Sequence, residues 1–70
     1  MRSLERYEIK VRGEIDRDWS SWLGDMEITH SEDGMTVLRG ELIDQAVLFS
    51  VLSRIRDMGL TLIEVKQIPI

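Results

Sequence analysis

The stretch Asp44–Gly59, DQAVLFSVLSRIRDMG, combines a start signal, an apolar stripe and a stop signal, and so limits the rest of the chain to elements able to cover that stripe. At about 100° per residue, Val47, Leu48, Val51, Leu52, Ile55 and Met58 fall within an arc of about 140°. Gln45, Ser50, Ser53, Arg54, Arg56 and Asp57 fall outside it. Asp44 suits an N-cap, Arg54 and Arg56 place positive charge in the last turn, and Gly59 suits the left-handed residue that closes a helix. The pattern predicts one amphipathic helix lying on a sheet.

The remaining segments read mainly as strands. After a polar lead, Met1 to Arg6, Tyr7, Ile9 and Val11 alternate with Glu8, Lys10 and Arg12, the period of a strand with one dry and one wet face. Asp16–Gly24 reads as a helix of about two turns, capped by Asp16 and ended by Gly24. Within it Trp19, Trp22 and Leu23 stand at i, i+3 and i+4 and would share a face, which sends at least one Trp into the core. Met26, Ile28 and His30 alternate in a second strand, and Ser31-Glu32-Asp33-Gly34 signals a hairpin into a third strand from Met35 to about Gly40. A three-residue loop would pair Ile28 with Leu38 and a four-residue loop would pair it with Val37; both registers fit the residues. Thr61–Ile68 forms the last strand, with Ile63 and Val65 on one side and Leu62, Glu64 and Lys66 on the other, before Pro69.

The order strand, short helix, strand, strand, long helix, strand leads to an α+β expectation: a ferredoxin-like split βαβ fold (βαββαβ), residues 1–70 as a single domain. Its four-stranded antiparallel sheet, in spatial order 4-1-3-2, would carry two helices on one face and leave the other open. Glu8, Lys10, Arg12, Glu64 and Lys66 would lie on that open face. A β-meander backed by the long helix is the alternative, because the first crossover is close to the shortest that can pass over a strand.

Size turns attention to partners. A chain of 70 residues buries only roughly 60% of the surface it exposes when unfolded, and with no cysteine it lacks both a disulfide and a cysteine-ligated zinc staple. Self-association is the expectation that follows. Two apolar residues sit outside the predicted core, Phe49, about 135° from the centre of the helix stripe, and Leu62 on the polar side of its strand; with Val37, whose side depends on the hairpin register, they are the interface candidates. The net charge of −4 argues against nucleic-acid binding, and no apolar run approaches the ~20 residues of a membrane span. A cytoplasmic protein is expected.

The inventory for chemistry is short. His30 is the one histidine, and Asp25, Glu27, Glu32 or Asp33 would have to complete a metal site, although Glu27 points to the opposite face of an ideal strand. Ser31 is adjacent to His30 and so points away from it, and no glycine-rich phosphate loop is present. The Trp pair could form a stacking platform for a sugar or a base, with core packing as the plainer reading. No catalytic, cofactor or metal residues are assigned.

Val11–Asp16 resembles the opening of STAS domains, but the strand and helix alternation that follows in those domains is missing here. Broader is the likeness carried by Trp19-x-x-Trp22, the Ile28-Thr29-His30 to Asp33-Gly34 hairpin, Asp44-Gln45-Ala46 and Arg54-Ile55-Arg56-Asp57-Met58-Gly59-Leu60. Together these resemble a set of short bacterial and archaeal proteins with an Arg-Ile-Arg-Asp-Leu-Gly-Leu helix end and no assigned activity. That resemblance implies a shared fold and no functional residue. Three functions are weighed: an interaction or regulatory module that self-associates through the open sheet face, an ACT-like sensor with a pocket around Gly13 to Trp19 or at a dimer seam, and a small α+β enzyme using His30, Tyr7 or a buried carboxylate.

Overall fold

Tyr7, Ile9 and Val11 are buried to within a few per cent, while Glu8 and Lys10 between them reach solvent, so the alternation in the sequence becomes the two faces of a central strand. The computed structural model describes residues 4–69. In it β1 (Glu5–Arg12), β2 (Glu27–His30), β3 (Met35–Leu42) and β4 (Thr61–Ile68) form one antiparallel sheet in the order β2-β3-β1-β4. One α-helix, α1 (Gln45–Asp57), joins β3 to β4, and a 3-10 segment, Arg17–Leu23, lies between β1 and β2. Residues 1–3 of the polar lead lie outside the described residues, whereas Glu5 and Arg6 already belong to β1.

The ferredoxin-like fold with two helices on one face is not what forms. Among the described residues there is a single α-helix, and the first crossover is a seven-residue 3-10 segment with a Trp19 N–H to Asp16 carbonyl bond of 3.0 Å. β1 and β2 are separated by β3, so this crossover must pass over a strand with few residues. At about 2.0 Å rise per residue, seven residues in 3-10 form span about 14 Å, against about 10.5 Å as α-helix. The tighter winding also changes which side chains share a face. At about 120° per residue Trp19 and Trp22 eclipse each other while Leu23 turns away from both. Leu23 is fully buried, and the two Trp residues remain 46% and 38% exposed, so neither supplies the core residue that α-helical spacing implies.

Inside, the apolar rows run across strands. Ile28 faces Leu38, Leu38 faces Ile9, and Ile9 faces Val65, a row that spans the whole sheet. Leu48, Val51 and Ile55 of α1 are buried against this core, with Val47, Leu52 and Met58 packed at its margin. The Asp44 side chain accepts the Val47 N–H at 3.0 Å and Gly59 takes a left-handed φ of 77°, so both ends of α1 close as the sequence indicates.

Three local features set positions that the sequence leaves open. The hairpin uses the three-residue loop Glu32–Gly34: Ile28 faces Leu38, and Gly34 takes φ 80° at the position where that loop needs a left-handed residue. β3 continues past Gly40 to Leu42 because a Cβ at Gly40 would lie 3.2 Å from the Met26 Cα, and glycine lets the start of β2 pass that close. β4 carries a bulge, since Lys10 faces Glu64 but Val11 faces Leu62. Ile63 is the extra residue, and Leu62 is re-registered opposite an inward-facing valine instead of standing on the polar side of its strand.

Candidate functional site

On the open face the register turns isolated charges into rows. Glu27 faces Arg39, Arg39 faces Glu8, and Glu8 faces Lys66, which gives alternating signs across all four strands. Glu8 is the centre of this row. Arg39 Nη2 lies 2.7 Å from one of its oxygens and Lys66 Nζ 3.4 Å from the other. The Arg39 hydrogen bond, reinforced by Lys66, holds the Glu8 carboxyl below its ordinary range, and Glu8 in turn raises Arg39. In the neighbouring row Lys10 faces Glu64, and Arg6 Nη2 pairs with Glu41 at 2.9 Å. Val37 stands among these charges, between Lys10 and Thr29, and is half-buried.

The other interface candidates lie elsewhere. Leu62 is 47% exposed opposite Val11, so pairing assigns it to the inward-facing side and separates it from Val37. Phe49, 60% exposed, is on α1. Arg54 of the same helix reaches the 3-10 segment, and a separation of five residues, about 140° of rotation, turns Phe49 away from that contact. Ile63, 41% exposed at the bulge, joins the exposed apolar group; its position was hidden because Leu62-Ile63-Glu64-Val65 also fits an unbroken alternating strand. β4 is an outer strand, and among the described residues nothing pairs with its far side.

His30 has a structural partner. Its Nε2 donates to the Ile15 carbonyl at 2.7 Å, which specifies the Nε2–H form. Beside it the fully buried Thr36 accepts the Ile15 N–H at 3.2 Å and donates its hydroxyl to the Gly13 carbonyl at 2.5 Å. The two side chains fix the root of the first crossover. Thr36 carries no signal in the sequence, because its polar side chain hides an inward position that only the hairpin register reveals. Tyr7 donates to Glu5, whose carboxylate accepts the phenol proton and, with burial, raises the Tyr7 pKa. A phenol pushed upward stays protonated near neutrality and acts there as a donor, not as a base.

The Trp pair forms a tilted contact, ring centroids 5.4 Å apart at 56°, and the Arg54 guanidinium sits 5.3 Å from the Trp22 ring centre while bonding the Trp22 carbonyl. One side of Trp22 is therefore occupied by α1. Around Gly13 to Trp19, where a sensor pocket was expected, Leu60 fills the space beside Gly13 and Ile15 is buried. Among the described residues there is no ligand-sized pocket, no group of three or more His, Asp or Glu placed to hold a metal, and no helix long and apolar enough to cross a membrane.

A family model described as a domain of unknown function, DUF8691, matches residues 6–66. No curated protein and no solved structure matches the chain.

Proposed function

We propose that this chain, which belongs to the DUF8691 family of domains of unknown function, works as a non-catalytic interaction module that associates with itself. The observation that carries the reading is β4. Eight residues long, it lies at the rim of the sheet, and all of it is exposed apart from a half-buried Val65 and Ile68. An outer strand of this length presents unpaired backbone donors and acceptors to any strand that can match it. Leu62 and Ile63 add apolar side chains to the same strand.

Titratable groups give a catalytic reading no comparable support. Glu8, Arg39, Tyr7 and Asp33 are shifted, and each shift has a fold-stabilising partner as its main cause: Glu8 with Arg39, Tyr7 with Glu5, Asp33 with Ser31. Light scattering from micromolar to millimolar chain tests the proposal. The mass is expected to rise above the 8.1 kDa of one chain, and Leu62→Lys is expected to return it to that value with an unchanged circular dichroism spectrum. A single-chain mass throughout would overturn self-association.

A further inference from the structure

Resting on the reading of β4 as a self-association strand, we infer that two copies of this chain join β4 to β4, antiparallel, about a two-fold axis through Val65, and form one continuous eight-stranded sheet. Symmetry removes most alternatives. Two copies of the same edge, run antiparallel, are related by an axis normal to the sheet, so the residue on the axis faces its own copy. Registers that place the axis between residues would turn one outer edge away from the other.

Charge selects among the registers that remain. An axis at Glu64 sets Glu64 against Glu64 of the second copy, and an axis at Lys66 sets the two lysines together. An axis at Ile63 sets Glu64 against the bulge, and one at Gln67 places Lys66 opposite Ile68; neither gives Glu64 or Lys66 a charged partner on the second copy. Only the axis at Val65 places Glu64 of each copy opposite Lys66 of the other, giving two reciprocal ion pairs. It also sets Ile63 opposite Gln67, ahead of the bulge.

Continuity on both faces supports the same register. On the open face the row Glu27, Arg39, Glu8, Lys66 alternates in sign and ends on a cation at the rim. The second copy supplies Glu64 next and Lys10 after it, so the alternation continues across the seam. On the inner face the apolar row Ile28, Leu38, Ile9, Val65 meets Val65 of the second copy and then runs back in reverse. The bulge lies toward the Thr61 end and leaves Glu64–Ile68 in unbroken register with β1.

The test uses two single variants of the whole chain. Glu64→Lys puts lysine opposite Lys66, and Lys66→Glu puts glutamate opposite Glu64, so each alone is expected to dimerise at least about tenfold more weakly than the parent. Mixed one to one, they complement each other at both pairs, and a heterodimer is expected by light scattering or native mass spectrometry. Because Lys66→Glu also loses the Glu8 contact and can lower fold stability, Val65→Cys provides a second readout in a chain with no cysteine of its own. On mild oxidation it is expected to yield a disulfide dimer faster than Glu64→Cys, since only residue 65 faces itself. A parent dimer insensitive to both charge variants, or a mixture that stays monomeric when both variants fold, would overturn the Val65 register while leaving self-association standing. Equal cross-linking at residues 64 and 65 would overturn it in the same way, and a monomeric parent would remove both readings.

Discussion

The two crossovers of this domain span comparable gaps in the sheet by different means. α1 spends thirteen residues on its passage and buries Leu48, Val51 and Ile55 along one flank, closed at its start by Asp44. The 3-10 segment has seven residues, buries only Leu23, and relies on contacts outside its own winding: Ser20 Oγ donates to the Met26 carbonyl at 2.6 Å, and Thr36 and His30 hold its approach. A long crossover can thus be stabilised by its own amphipathic face, whereas a short one is anchored at a point and tied at both ends.

The comparison breaks most visibly in the core. Ile55→Ala and Leu23→Ala each remove a large, fully buried side chain and are expected to cost about 2–5 kcal/mol in urea unfolding. Near-equality would show that one point anchor serves the short crossover as an entire stripe serves the long one. A cost below about 1 kcal/mol for Leu23→Ala would mean that the 3-10 segment is not docked there.

Smaller effects sharpen the contrast at the caps. Asp44→Ala is expected to lose about 1 kcal/mol, because it frees the Val47 N–H at the start of a thirteen-residue helix. Asp16 accepts the Asp18 N–H at 2.9 Å in the same manner, but the short segment it caps propagates little order, and Asp16→Ala is expected to lose about 0.5 kcal/mol. Thermal melts of the pair measure the difference directly.

A change as small as the weaker cap sits where the two crossovers touch. Arg54→Ala removes the cation from the face of Trp22 and is expected to cost about 0.5 kcal/mol, with a clear change in tryptophan emission. An unaltered spectrum would show that Arg54 does not rest on the ring in solution.

What could be read in the residues follows the same division. α1 was legible because cap, stripe and stop are independent signals that agreed, and the limits of β4 were legible because Gly59 and Pro69 bracket it. The winding of Arg17–Leu23 was not, since Trp19 and Trp22 at i and i+3 fit either period while Leu23 at i+4 points to the α one; what decides is the distance to be covered over β3. Gly40 reads as a strand end until Met26 is seen to need the space its missing Cβ leaves. Of the interface candidates, Phe49 could be placed outside the core from helical period alone. Leu62 falls opposite Val11 and off the polar side because of a bulge at Ile63 that no glycine or proline announces.

In β1 and β4, Arg6 stands opposite Ile68, so the path into the domain and the path out of it run side by side, about 5 Å apart. Such a unit can hang from a host polypeptide on a single narrow stem without stretching either strand. The Glu32–Gly34 loop at the far end of β3 is then a natural place to reopen the chain after splicing the stem shut, keeping every strand neighbour while changing their order of synthesis.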